Sequence, residues 1–226
     1  MCGRFTRMYS WRELIELYKL GLQLPPSNLE PRFNICPTDT VDVIVEHGGV
    51  RQLVPMRWGL VPGWWNKSLK DIKLATFNAR AESAATKPFF REAFKGRHCL
   101  IPASGYYEWK ATPEGRQPYY YTRRDRAPLT FAGLWDEWKN PETGERLRSC
   151  TMLITGPNRL AAEIHDRMPV ILEPENFGVW LSGEGKDLLK PAADDRLQMW
   201  PVSKRVNSSR TPGDDPTLIE EVKDAA

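Results

Sequence analysis

The chain has 226 residues, with 32 Lys and Arg against 29 Asp and Glu and a formal net charge of +3. Hydrophobic residues make 41% and charged residues 27%, a globular balance that excludes collagenous, disordered and disulfide-scaffold chains. No apolar run reaches the ~18 residues of a membrane span. The opening MCGRFTRMYS also lacks the apolar core of a secretory signal.

A cytoplasmic protein with reduced thiols is therefore expected. The four cysteines, Cys2, Cys36, Cys99 and Cys150, form no CxxC pair. No zinc site is expected from that spacing, and no cofactor.

Ser10-Trp11-Arg12-Glu13 fits a capping box, and Leu14, Leu17 and Tyr18 follow at helical spacing. The helix is expected to run to about Leu20 and stop at Gly21. A Pro-rich loop (24–31) precedes strand-like runs at 41–46 and 51–59. Residues 60–87 carry little periodicity and many Trp, Asn and Lys; an irregular stretch of that length is usually functional. A short helix is expected at 88–96, and strands at 98–104, 106–110, 118–123, 128–135 and 148–155. Helices follow at 157–165 and 174–183, and a last strand at 197–203.

The final 14 residues hold five acids and one Lys, so the rest of the chain carries +7. That end reads as a frayed, solvated tail. Strands and helices do not alternate one for one, which argues against a doubly wound sheet. The expected fold is α+β: a single domain over 1–212 with a mainly antiparallel, barrel-like sheet flanked by short helices, then an acidic tail over 213–226.

Four groups of residues could carry chemistry. Removal of Met1 would leave Cys2 with a free amine (reference pKa near ~8) and a thiol (near ~8.5) on one framework. Such a 1,2-aminothiol captures an aldehyde as a thiazolidine, or its thiolate attacks an acyl carbon. On the dipeptide alone, an ordinary buried Cys behind a retained or trimmed Met is the commoner reading. In Gly105-Tyr106-Tyr107-Glu108-Trp109, strand alternation places Glu108 with Tyr106 and Tyr107 with Trp109. An inward Glu108 suits proton transfer; an outward one is a surface carboxylate. His165, where a helix should end, is followed by Arg167, which could fork onto a phosphate. Asn78 could orient a carbonyl or amine and Arg80 hold a phosphate. Trp64 and Trp65, hard to bury together, could stack on unpaired bases.

These motifs occur in one order with Arg32-Phe33-Asn34, Met56-Arg57-Trp58-Gly59-Leu60-Val61-Pro62, Gln117-Pro118-Tyr119 and Val206-Asn207. The set, spanning residues 2 to about 210, resembles the SOS-response-associated peptidase (SRAP) family. The resemblance implies a sensor of abasic sites in single-stranded DNA. Cys2, as the mature N-terminus, would form a thiazolidine crosslink with the ring-opened sugar and shield the lesion. Glu108 would transfer protons and His165 would assist Schiff-base chemistry and reversal. Asn78 would position the amine and the sugar. Arg4, Arg80 and Arg167 would hold the DNA backbone, and Trp64, Trp65 and Trp109 would lie near the strand bend and the stacked bases. Abasic-site lyase activity, autocatalytic Met1 removal and a monomeric state are further expectations.

The chain departs from the family at Ser104, where an Asp is common, which questions the local support of Glu108. Three other readings stay open. One is an N-terminal nucleophile amidohydrolase. Another is a thiol peptidase built from Cys2, His165 and Glu108. The third is a non-covalent module binding single strands through Trp64, Trp65 and the arginines.

Overall fold

A computed structural model describes residues 2–21 and 29–223. The fate of Met1, most of the Pro-rich loop and the last three residues of the acidic tail lie outside the described residues. The strands, in chain order, are β1 (Phe5–Arg7), β2 (Arg32–Ile35), β3 (Thr40–His47), β4 (Val50–Trp58), β5 (Asn78–Arg80) and β6 (His98–Ala103). They continue as β7 (Gly105–Thr112), β8 (Gly115–Arg123), β9 (Leu129–Lys139), β10 (Arg146–Thr155), β11 (Met168–Pro169) and β12 (Leu197–Pro201). The helices are short: α1 (Trp11–Tyr18), α2 (Ala81–Ala84), α3 (Arg91–Gly96), α4 (Arg159–Ala162) and α5 (Phe177–Leu181). None of the described helices is long and apolar enough to cross a membrane.

The α+β expectation holds. β4, β3, β6, β9 and β10 pair in succession, and β10 returns to β4, closing a five-stranded barrel. A ring with an odd number of strands cannot alternate direction all the way round. The conflict is resolved at one seam, where β4 and β10 run parallel with Trp58 opposite Cys150. β5 also lies parallel to β10, and β11 antiparallel to it. The second sheet is antiparallel throughout, in the order β12-β8-β7-β1-β2.

One apolar cluster joins the barrel interior (Trp58, Phe131, Met152) to the inner face of the second sheet (Phe5, Tyr106, Tyr121), and Cys2 belongs to it. A second cluster packs α1 and α5 outside the barrel through Leu14, Tyr18, Phe177 and Trp180. Covered on both sides, β6 is buried at every position, hence its nearly unbroken apolar sequence.

Local rules account for much of this. Ser10 and Glu13 exchange the two bonds of the capping box. The helix stops earlier than Gly21 because Lys19 adopts the left-handed conformation (φ 54°, ψ 48°), while Leu20 bridges Arg51 and Gly21 N–H bonds the Arg51 carbonyl. The runs expected as helices at 157–165 and 174–183 shrink to α4, and to a 3-10 turn (Pro174–Asn176) leading into α5.

The frayed tail requires correction through residue 223. Residues Pro216–Ile219 form a 3-10 turn that buries Leu218 with Phe33, Tyr107, Tyr120, Val202 and Val206. Trp200 Nε1 donates to the Ile219 carbonyl (2.8 Å), and Val222 N–H to the Pro201 carbonyl (3.0 Å). Asp214, Glu220 and Glu221 are exposed and Asp215 pairs with Arg205, but Leu218 anchors the segment over the outer face of the second sheet. Leu218→Ala is expected to cost about 2–5 kcal/mol, read as a lower midpoint in urea unfolding.

His98 is a structural histidine against Trp180, with ring centroids 4.4 Å apart. Burial lowers its pKa to about 4. The unfolded chain takes this proton below about pH 6.5, whereas the folded one refuses it until about pH 4. Stability therefore falls as pH drops through that window, by at most about 3 kcal/mol. His98→Phe is expected to flatten this part of a pH–stability curve.

Candidate active site and nucleic-acid groove

The antiparallel ladder of β1 on β7 sets Phe5 against Tyr106 and Thr6 against Gly105. The Tyr107 N–H bond to the Arg4 carbonyl (3.0 Å) continues that register, which carries Gly3 level with Glu108. Gly105 makes room for the Tyr120 ring, which a Cβ there would meet at 2.3 Å, and the Tyr120 hydroxyl reaches Thr6 of β1. Cys2, one residue beyond Gly3 and outside the ladder, turns back to the Glu108 face of β7. Its thiol donates to Glu108 Oε2 at 3.1 Å, and both residues are buried. The barrel supplies the opposite wall: β5, held parallel to β10, presents Asn78, whose Nδ2 donates to the Cys2 carbonyl at 2.9 Å.

His165 follows α4 and places Nε2 4.0 Å from Glu108 Oε1. Its Nδ1 lies 3.0 Å from the Arg167 N–H and 2.9 Å from Asp166 Oδ1. One nitrogen cannot accept from the first and donate to the second at once. Neutral His165 accepts from Arg167 and carries its proton on Nε2, towards Glu108. Imidazolium donates Nδ1–H to Asp166. The ring thus has a partner for each protonation state, as a proton carrier requires.

The thiol differs from its sequence expectation. Burial, then the charge of Glu108 and the bond to it, raise the Cys2 pKa well above the ordinary thiol value. Cys2 at rest is a protonated thiol beside a proton acceptor rather than a standing thiolate. Ionisation must be coupled to proton transfer.

Asn78 and Arg80 also open onto a groove of 380 Å³, lined further by Leu74, Thr76, Lys87 and Phe89. Phe89 lies against Trp64 and Trp65, with centroids 5.6 and 5.5 Å away. Trp64 is 49% exposed. Trp65 is tied down: its Nε1 donates to the Ser68 carbonyl, and its own carbonyl accepts from Trp138 Nε1. Arg80 is exposed. Arg167 is held to Glu82 of α2 at 2.5 Å, so a phosphate would have to compete with that carboxylate. A path of cationic and aromatic groups therefore leads from Asn78 to Trp64. Phe89 and Lys87 were not singled out for it: Phe89 falls in the run read as a helix over 88–96, and Lys87 is the last residue of the irregular stretch 60–87.

Two expected DNA contacts are not brought to this path. Trp109 faces away from Glu108, packs beside Tyr107 and donates its Nε1–H to Asn207 Oδ1 at 2.6 Å. Arg4 lies beside Cys36, where burial raises the thiol pKa and the guanidinium opposes that rise. Ser104 accepts from Met8 N–H at 2.8 Å, so it ties the β1 exit to β7 and offers Glu108 nothing. Among the described residues no cluster of three or more His, Cys, Asp and Glu could hold a metal.

Fold and site together define a barrel-built protein in which Cys2 shares a buried carboxylate and an imidazole at the head of a basic, aromatic groove. The chain belongs to the SOS response associated peptidase (SRAP) family, whose model matches residues 1–209. It is 38% identical to the abasic site processing protein YoqW of Bacillus subtilis, over 97% of this chain and 99% of that one. It is 29% identical to the abasic site processing protein YedK of Escherichia coli, over 94% and 97%. A crystal structure of a Bacteroides thetaiotaomicron protein superposes with a TM-score of 0.86 at 25% identity, covering 98% of this chain and 100% of that one.

Proposed function

We propose that this protein captures abasic sites in single-stranded DNA by forming a thiazolidine between Cys2, exposed by loss of Met1, and the ring-opened sugar. The observation that carries this reading is the Cys2 thiol bonded to buried Glu108, with His165 beside it, next to a groove that can take phosphates and unpaired bases. The Cys2 amine attacks C1′ of the aldehyde. Glu108 and His165 supply the proton with which the carbinolamine oxygen leaves as water. The sulfur then adds to the resulting iminium and closes a five-membered ring. Asn78, bonded to the Cys2 carbonyl, fixes the residue that carries both nucleophiles. Arg80 and Lys87 offer charge to the backbone, and Trp64, Trp65 and Phe89 offer ring faces to flanking bases. The buried crosslink would keep the lesion from cleavage.

The test is incubation with a single strand bearing one abasic site, followed by denaturing electrophoresis and intact-mass measurement. The expected product is a denaturant-resistant adduct, lighter by one water than the Met1-free protein plus the DNA. Salt-sensitive binding with no adduct and no preference for the lesion would overturn the reading in favour of a non-covalent module. Ammonia released from glutamine, without an adduct, would overturn it in favour of an amidohydrolase.

A further inference from the structure

Six buried tyrosines behave in two ways. Tyr18 and Tyr120 share hydroxyl bonds with Thr130 (2.7 Å) and Thr6 (2.8 Å). Tyr107 donates to the Phe33 carbonyl (2.7 Å), and Tyr9 reaches Asp42 and the Pro102 carbonyl. The hydroxyls of Tyr106 and Tyr121 are buried and have no hydrogen-bond partner among the described residues. An unpaired buried hydroxyl is costly, and a native fold that keeps two calls for a reason.

Their placement supplies one. Tyr106 and Tyr121 are cross-strand partners on β7 and β8, with rings stacked at 4.7 Å and an interplanar angle of 10°. Tyr106 shares the Glu108 face of β7, and both rings belong to the apolar cluster that contains Cys2. Each hydroxyl feels the charges of Cys2 and Glu108, and burial holds both phenols protonated, as donors. Neither bonds Cys2 Sγ in the resting state, where sulfur is still a thiol and a weak acceptor.

We infer that Tyr106 and Tyr121 are positioning residues whose hydroxyls receive the Cys2 thiolate as it forms, steering it onto the iminium carbon. The inference rests on the proposed aldehyde capture. Glu108 takes the thiol proton, a sulfur lone pair forms the S–C1′ bond, and the C=N π pair returns to nitrogen, which becomes neutral. No further reactant is consumed. A buried thiolate is strongly disfavoured, and two fixed donors lower its energy only during ring closure, when it exists.

The test compares wild type with Tyr106→Phe, Tyr121→Phe and the double variant on a single strand carrying one abasic site. Borohydride-trappable Schiff base and borohydride-independent adduct are followed separately. Closure is expected to slow by roughly 10–100-fold per lost donor, the worth of a hydrogen bond to a charged group, so Schiff base accumulates. The thermal midpoint should stay level or rise, because an unpaired hydroxyl has been removed. Wild-type closure rates in the double variant would overturn the inference and leave the capture reading intact. Slowed closure with a lowered midpoint in all variants would overturn it in favour of a packing role. Absence of adduct from wild type would overturn the capture reading itself, and the inference with it.

Discussion

Cys2→Ala is expected to abolish the denaturant-resistant adduct completely while leaving affinity for single-stranded DNA nearly unchanged. The sulfur is the only atom lost, and it lies inside the apolar cluster rather than on the groove wall. Phosphate and stacking contacts, which dominate affinity for single strands, are untouched. With Met1 removed as proposed, the amine remains at residue 2, so Schiff-base formation survives without a ring to close. The trapped sugar then has time for β-elimination, and strand cleavage should rise as the adduct disappears. An undiminished adduct from Cys2→Ala would remove the thiazolidine from the mechanism. Loss of binding together with the adduct would instead make Cys2 part of the docking surface.

Much of the site was readable from local pattern, and the failures have definite physical causes. Period-two alternation in Gly105–Trp109 put Glu108 with Tyr106 and against Trp109, and the strand obeys it. The same alternation already argued against Trp109 sharing the Cys2 side, although the family resemblance placed it with the DNA. The capping box fixed the start of α1, but the end of that helix is set by Arg51, 33 residues beyond Tyr18, whose guanidinium donates to the Tyr18 carbonyl. The parallel seam between β4 and β10 leaves no trace in either strand, yet it sets where β5 and Asn78 stand. Strands of two to four residues such as β1, β2, β5 and β11 are too short to show a period. Leu218 was hidden by the acids around it: one apolar side chain can anchor a segment whose average composition reads as solvated. The raised thiol pKa is a property of enclosure, and enclosure is tertiary.

Glu108→Gln separates its effect on the Cys2 thiol from the proton-transfer role proposed for it. Glu108 raises the Cys2 pKa through its charge and through its bond to the thiol, adding to the effect of burial. Replacing it with a neutral isostere removes both contributions, so the Cys2 thiol should titrate at lower pH and react faster with a small alkylating agent that reaches it. Crosslinking should nevertheless slow, by about 10²–10⁴-fold, the usual worth of a positioned general acid–base. Gln cannot take the thiol proton, nor return one to the leaving oxygen. His165, with Nε2 4.0 Å from the Glu108 carboxylate, would lose its proton-transfer partner in the same step, so His165→Ala should cost little further once Glu108 is Gln. That non-additivity is the mark of two groups acting as one relay. A Glu108→Gln enzyme that crosslinks as fast as wild type would reduce the carboxylate to a structural partner of the thiol. A more reactive thiol with slower crosslinking has a different meaning: the chemistry is limited by where the proton goes, not by the intrinsic strength of the nucleophile.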